Sequence, residues 1–237
     1  MTSPSRPRRR RVIALLVALA LLVVVGAVAL IWGPAFYRDV IVGEQPAAPS
    51  VPSDGATPSA GAAVSDLTGT WAVADGSFAG YRVDEVLAGE DVTVVGRTEE
   101  VSGTAVIDGL ALQQAEFTVD VASIATDAAE RDAYFRDQAL STDEYPEASF
   151  RLTQPVAVTG PVAGGTAAFD AAGELTLRGV TQAVTVPIEA VSDGERIHVA
   201  GSIPITFADY GVTAPNLGFV SVEPEGFVEF QLVFERS

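Results

Sequence analysis

From Thr68 onward, apolar and polar residues alternate along most of the chain, and a period of two predicts half-buried β-strands. In residues 111–121 the odd positions are Ala, Gln, Ala, Phe, Val and Val, against Leu, Gln, Glu, Thr and Asp at the even ones. Residues 166–178 set Ala167, Phe169, Ala171, Gly173, Leu175 and Leu177 against Thr166, Asp170, Glu174, Thr176 and Arg178. The same alternation continues through Val180–Ile188 and Ile197–Phe207, and the chain ends with Val228, Phe230, Leu232 and Phe234 on one parity. With further strands around Trp71, Tyr81, Val94, Val101–Ile107 and Phe150, roughly eight to ten are expected. Asp108-Gly109, Gly164-Gly165 and Asp193-Gly194 supply the tight turns that antiparallel hairpins need.

Strands of this kind close as a sandwich or as a barrel. The inward parity favours an all-β antiparallel barrel enclosing space, because it carries Gly96, Gly103, Ala105, Ala111, Ala115, Ala167, Ala171, Gly173 and Gly201. The competing reading is that these small residues accommodate large neighbours or mark bends. One stretch, Thr126–Leu140, has helix-forming residues with Thr126 or Asp127 as N-cap, and predicts a single short helix lining or plugging an opening. The residues expected to face an apolar ligand are Tyr81, Val83, Phe117, Val119, Phe150, Leu152, Phe169, Leu175, Ile203, Ile205, Phe207 and Phe230 from the strands. Tyr134 and Phe135 of the helical stretch join them.

The N-terminal part has a different pattern. A basic segment, residues 1–11, contains Arg6 and Arg8 to Arg11 and precedes an uncharged run of 21 residues, Val12–Trp32. As a helix this run covers about 30 Å, the thickness of a bilayer core. The basic flank predicts a transmembrane signal anchor with the N-terminus in the cytoplasm and the remainder outside. Ala27-Val28-Ala29 leaves cleavage of a secretory signal as the alternative, although the apolar run continues past it to Trp32. Residues 33–66, with Pro46, Pro49, Pro52 and Pro58 among Ala, Ser and Gly, read as a linker, leaving 67–237 as the folded domain.

Charge and composition narrow the chemistry. The 237 residues hold 31 acids, 14 basic residues (all Arg), one His and no Cys, for a net charge of -17. Residues 46–237 hold eight Arg against 29 acids, a net of -21, which argues against a nucleic-acid partner. The absence of Cys excludes disulfides, thiolate catalysis, Cys-ligated metals and a lipidated Cys anchor. His198 falls on the outward parity, and the acid pairs Asp84-Glu85, Glu90-Asp91 and Glu99-Glu100 read as solvated charge, so no catalytic constellation, metal site or cofactor is implied. Arg131-Asp132 and Arg136-Asp137 read as structural ion pairs, with recognition of an anionic head group as the alternative.

Three motifs in order carry a family resemblance: Ser123-Ile124-Ala125-Thr126-Asp127 with Arg131-Asp132, then Tyr145-Pro146-Glu147-Ala148-Ser149-Phe150, then Gly173-Glu174-Leu175-Thr176-Leu177-Arg178-Gly179-Val180-Thr181. Over Gly69 to Phe234 the chain resembles the YceI-like family of bacterial lipid-binding proteins. The resemblance implies an extended lipocalin-like barrel around a long apolar tunnel. It also implies binding of an isoprenoid chain, a polyprenyl phosphate or a quinone tail, outside the cytoplasmic membrane, by proteins that are not established enzymes. One departure is Gly76-Ser77, where many members carry His-Ser after the first strand. The function expected is extracytoplasmic binding, carriage or sequestration of a polyisoprenoid lipid. A packed protein-interaction module of the cell envelope and, behind it, an enzyme acting on an apolar substrate are the alternatives; no protein partner is specified.

Overall fold

The alternation is realised as eleven strands, every pairing among them antiparallel: β1 (Gly69–Val73), β2 (Phe78–Leu87), β3 (Glu90–Thr98), β4 (Val101–Asp108), β5 (Ala111–Asp120), β6 (Glu147–Leu152), β7 (Val156–Ala157), β8 (Ala167–Leu177), β9 (Val180–Ser192), β10 (Arg196–Thr206) and β11 (Val220–Arg236). The structure is a computed structural model, and it describes residues 45–52, 67–87, 89–158, 165–216, 218 and 220–237. The sheet runs β1-β4-β5-β6-β8-β9-β10-β11 and closes through β1–β11, so the all-β barrel expected from the pattern is present.

β11 holds the two ends of the barrel together. Its 17 residues, about 55 Å of extended chain, pair with β10 along one edge and with two strands in succession along the other. Val73↔Phe234 through Trp71↔Arg236 join it to β1, whereas residues from Val220 to Gln231 pair with β2. The register shifts between Val222 and Gly226, the bend expected where a long strand serves two neighbours. β2 carries β3 on its far side, and β3 is stitched to the segment after β5 by reciprocal Arg97–Ala125 backbone hydrogen bonds of 3.0 and 3.1 Å. One end of the barrel is therefore closed by β1 and β4, and the other is walled by the β2–β3 hairpin.

Local chemistry explains the turns. β8 stops at Leu177 because Arg178 (φ 49°) and Gly179 (φ 72°) form the two-residue turn that suits twisted hairpins. A left-handed Arg is uncommon; here its guanidinium donates to the Gly211 carbonyl, tying the hairpin to the turn after Phe207–Tyr210. Asp193 Oδ1 accepts from the backbone N–H groups of Glu195 and Arg196, and these bonds hold its carboxyl below the ordinary range. Of the expected Gly164-Gly165 turn, Gly164 lies outside the described residues.

The helical stretch departs in detail from expectation. Helix α1 spans Ala129–Tyr134 and runs on as a π-helical turn, Phe135–Leu140, ended by Ser141 in the left-handed region (φ 53°). Neither Thr126 nor Asp127 is the N-cap: Ala128 occupies that position without a side-chain cap. Thr126 instead ties the approach segment to the helix, donating through N and Oγ1 to Asp132 Oδ1 at 2.9 and 2.7 Å. Phe207 opens a 3-10 turn rather than sitting in a strand.

Within the stretch expected to be a linker, residues 45–52 lie on the outer face of β2 and β3. Arg82 Nη2 donates to the Pro46 carbonyl and Arg97 Nη2 to that of Ala47, both at 2.7 Å, and the Val95 N–H donates to Gln45 Oε1 at 3.3 Å. Val51 is buried. Beneath them Glu229, only 2% exposed, accepts from Arg82 Nε at 2.6 Å and lies 4.0 Å from Arg97, whose guanidinium covers the Phe78 ring. Residues 1–44, which include the basic segment 1–11 and the expected span Val12–Trp32, and residues 53–66 lie outside the described residues. Among the described residues no helix is long and apolar enough to cross a membrane.

Removing one partner from a buried ion pair strands the others, whereas exposed pairs contribute little. Glu229→Gln should lower unfolding free energy by about 1–3 kcal/mol and speed amide exchange at Val95. Glu174→Gln, which removes the exposed Arg151–Glu174 pair, should change stability by less than about 0.5 kcal/mol. Urea titration of both variants checks the ranking.

Candidate functional site

Inward-facing residues enclose two adjoining cavities. The inner one, about 160 Å³, lies at the β1–β4 end and is walled by Trp71, Phe117, Phe150, Phe169, Phe230 and Phe234 with smaller aliphatic residues. Its lining is apolar apart from Ser149 and the Trp71 indole, whose N–H donates to the Leu67 carbonyl at 2.8 Å. The outer cavity, about 620 Å³, lies between the β2–β3 hairpin, α1 with its π turn, and residues Phe207 to Pro215. Ala79, Val119, Ala148, Leu177 and Val228 line both and form the neck.

All fourteen residues expected to face a ligand line one of these spaces. Phe117, Phe150, Leu152, Phe169, Leu175, Ile203 and Phe230 face the inner cavity. Tyr81, Val83, Tyr134, Phe135, Ile205 and Phe207 face the outer one, and Val119 faces both. What the pattern misjudged is the source of the volume. Gly96, Gly103 and Gly201 sit directly opposite Tyr81, Phe117 and Phe230, and Gly173 is diagonal to Phe150. A Cβ at Gly201 would lie 2.4 Å from Phe230 Cζ, one at Gly173 2.2 Å from Phe150 Cζ, and one at Gly96 2.5 Å from Tyr81 Cε1. These glycines accommodate rings folded across them. The space is left by alanines: Ala79, Ala105, Ala115, Ala148, Ala171 and Ala190 line the inner cavity, while Ala167, although buried, does not.

Polar side chains collect in the outer cavity. Arg131 does not pair with Asp132, and Arg136 forms no ion pair with Asp137. The Arg131 guanidinium instead bonds Asp127, one turn back, and lies 3.8 Å from Glu85 Oε1 across the cavity wall. Glu85 is not the solvated acid expected: it is 7% exposed and shares the inward parity of Tyr81 and Val83 on β2, while Asp84 faces outward. Burial raises the Glu85 carboxyl pKa and outweighs the pull of Arg131. Tyr81, stacked on Phe135 with centroids 4.8 Å apart, is also pushed up by burial, as is Tyr210, which is 3% exposed. Neither tyrosine hydroxyl has a hydrogen-bond partner among the described residues. Glu130, Tyr134 and Phe227, all exposed, mark the rim. His198 stands half-buried on the outer side of β10, and among the described residues no group of three His, Asp or Glu could hold a metal ion.

Glu85, Tyr210, Phe227 and the neck residues Ala79 and Ala148 are among the lining residues that sequence reasoning did not single out. The period of two through Tyr81, Val83 and Glu85 was the available signal for the acid. Tyr210 lies in a 3-10 turn, where no periodicity applies.

The model of the YceI-like domain matches residues 71–234, more than half of the chain. The chain belongs to the YceI-like family. A UPF0312 protein of Vibrio parahaemolyticus is 30% identical over 151 residues, covering 60% of this chain and 73% of that protein. A UPF0312 protein of Shewanella denitrificans is 31% identical over 129 residues, covering 50% and 64%. Among solved structures, a polyisoprenoid binding domain from Saccharophagus degradans, implicated in plant cell wall breakdown, superposes with a TM-score of 0.58 at 23% identity, covering 72% of this chain and 99% of that domain. That likeness shows that the YceI-like domain shares its fold.

Two measurements probe the geometry. Glu85, with its folded-state pKa above the unfolded one, binds its proton more tightly in the folded chain. Stability should therefore fall as pH rises from the ordinary glutamate value, about 4.3, through the raised one, and then level off. Glu85→Gln should lose that component of the urea-derived pH profile. Gly201→Ala should cost about 1–3 kcal/mol by driving the Phe230 ring off its site and crowding the Pro187 carbonyl oxygen, 2.9 Å from the new Cβ, and Phe230→Leu in the same chain should recover part of it.

Proposed function

We propose that this YceI-like domain binds and carries, or sequesters, a polyisoprenoid lipid, with the hydrocarbon tail in the inner cavity and neck and the head in the outer cavity. The observation that carries the reading is the segregation of polarity between two adjoining cavities that share a wall: the inner one is almost wholly apolar, and the ionisable groups stand in the outer, wider one with the rim. A dry cavity of this inner size takes a group about as large as benzene, so the branched end of a prenyl chain suits it. Each methylene buried contributes about 0.8 kcal/mol, and a few isoprene units bind tightly without specific contacts. The lipid-binding property of the Saccharophagus domain supports the same reading. No step of chemistry is required of the protein.

We place the domain outside the cytoplasmic membrane, tethered by Val12–Trp32, on the strength of the basic flank and the apolar length of that segment. The tether keeps the rim near the bilayer from which the lipid is drawn. Membrane fractionation checks this: an integral-membrane product is expected, and a soluble one indicates cleavage near Ala29.

Lipid extraction and native mass spectrometry of the gently purified protein should reveal a prenyl lipid bound one to one. Ala115→Trp, which fills the inner cavity, and Ala148→Phe, which fills the neck, should each weaken binding of a long-chain prenyl lipid at least tenfold, an effect of about 1.4 kcal/mol or more. Circular dichroism of both should stay that of the parent. An unaltered affinity in both variants, or a barrel that carries no lipid, would favour a packed interaction module.

A further inference from the structure

The polar end of the cavity is built against negative charge. Of the two arginines lining it, Arg82 has its guanidinium engaged on the outer face by Glu229, at 2.6 and 3.3 Å, and by the Pro46 carbonyl. Arg131 is the one left to meet a head group, and it is bonded to Asp127 and faces Glu85 at 3.8 Å. Glu130, at the rim, adds a third carboxylate. Even with Glu85 protonated, Asp127 alone balances the guanidinium. An entering phosphate would have to compete for the guanidinium with a carboxylate already bonded to it, beside the buried Glu85. The tyrosines offer the opposite: Tyr210 and Tyr81 both line the cavity, and their hydroxyls bond no described protein group and stay accessible, since Arg97 Nε is the one enclosed, unpaired side-chain polar atom among the described residues. An accessible phenol without a protein partner is a donor free to meet a ligand's acceptor.

We infer that the outer cavity selects isoprenoids with an uncharged, hydrogen-bond-accepting head, a prenyl alcohol or a prenylated quinone, over prenyl phosphates, with Arg131 neutralised by its carboxylates and the Tyr81 and Tyr210 hydroxyls as donors. This rests on the carrier reading above and deepens it. Asp127 and Glu85 act as exclusion residues in it, since they occupy the guanidinium a phosphate needs.

The test compares two probes with the same chain, geranylgeraniol and geranylgeranyl phosphate, titrated into the full-length protein in detergent. The alcohol should bind at least tenfold more tightly. A phosphate that binds as well or better overturns the inference and leaves the carrier reading standing. Failure of both probes to bind, alongside failure of a prenylated quinone, overturns the carrier reading itself. The double variant Glu85→Gln, Asp127→Asn releases Arg131 and should tighten the phosphate at least tenfold relative to the alcohol; an unchanged ratio overturns the exclusion role. Because their hydroxyls bond no described protein group, Tyr81→Phe and Tyr210→Phe should fold normally and each weaken the alcohol about threefold to tenfold. No loss in either variant removes the tyrosines as donors and with them the proposal for a hydrogen-bonded head.

Discussion

The architecture turns on one edge of β11 being divided between two partners. A strand has a single set of ladder groups on each edge, so β1 and β2 can both pair with it only if each takes a different stretch. β1 takes the last few residues, through Val73↔Phe234, and β2 takes those up to Gln231. The consequence is a barrel that is narrow and fully closed at one end and opens into a hairpin wall at the other. The Ala74–Ser77 corner makes the exchange: the Ser77 hydroxyl donates to the Ala74 carbonyl and accepts from the Val233 N–H at 2.9 Å. That buried serine joins the β1–β2 turn to the strand both must share.

Division of β11 sets where the cavities lie, and the side chains set how large they are. Rings opposite glycines lie across the sheet and consume the space the glycines leave, whereas alanines with no ring above them leave it open. Phe117 shows the difference. It folds over Gly103 and packs against Phe234 at 5.7 Å and Phe150 at 6.5 Å, forming a wall, while Ala105 and Ala115, paired across β4 and β5, form a floor with room above. A count of small residues therefore overstates cavity volume unless the partner strand is known.

This explains what the sequence could and could not convey. Parity along each strand is a local property, so the barrel, its inward faces and the strand residues expected to line the cavity could be read from alternation, whereas Tyr134 and Phe135 came from the helical stretch. Partnership across strands is not local. That Gly201 faces Phe230, or that Arg131 finds Glu85 some forty-five positions away rather than its neighbour Asp132, depends on register and on the path of α1 over the hairpin. Glu85 lay in plain view on the inward parity but was assigned to solvent by its charge, and charge is an unreliable guide where a buried partner exists. Residues 45–52 show the same limit: Pro-rich composition reports an inability to form a core, not an inability to lie on one already formed.

The glycine that replaces the family's histidine can now be placed. At Gly76 the backbone has φ 89°, a region favouring glycine, and a Cβ there would approach Val233 Cγ2 at 3.8 Å. Leu232 and Phe234 face the inner cavity, so Val233, between them and opposite His198, faces outward. A side chain at position 76 would leave this backbone on the outer side of the β1–β2 corner, away from both cavities. Its absence subtracts nothing from the outer cavity, whose polar side chains come from β2, α1 and the 3-10 turn at Tyr210. In this chain barrel closure and the polar groups are thereby separated: the corner at Ser77 holds the barrel shut, and the polar groups stand at its other end.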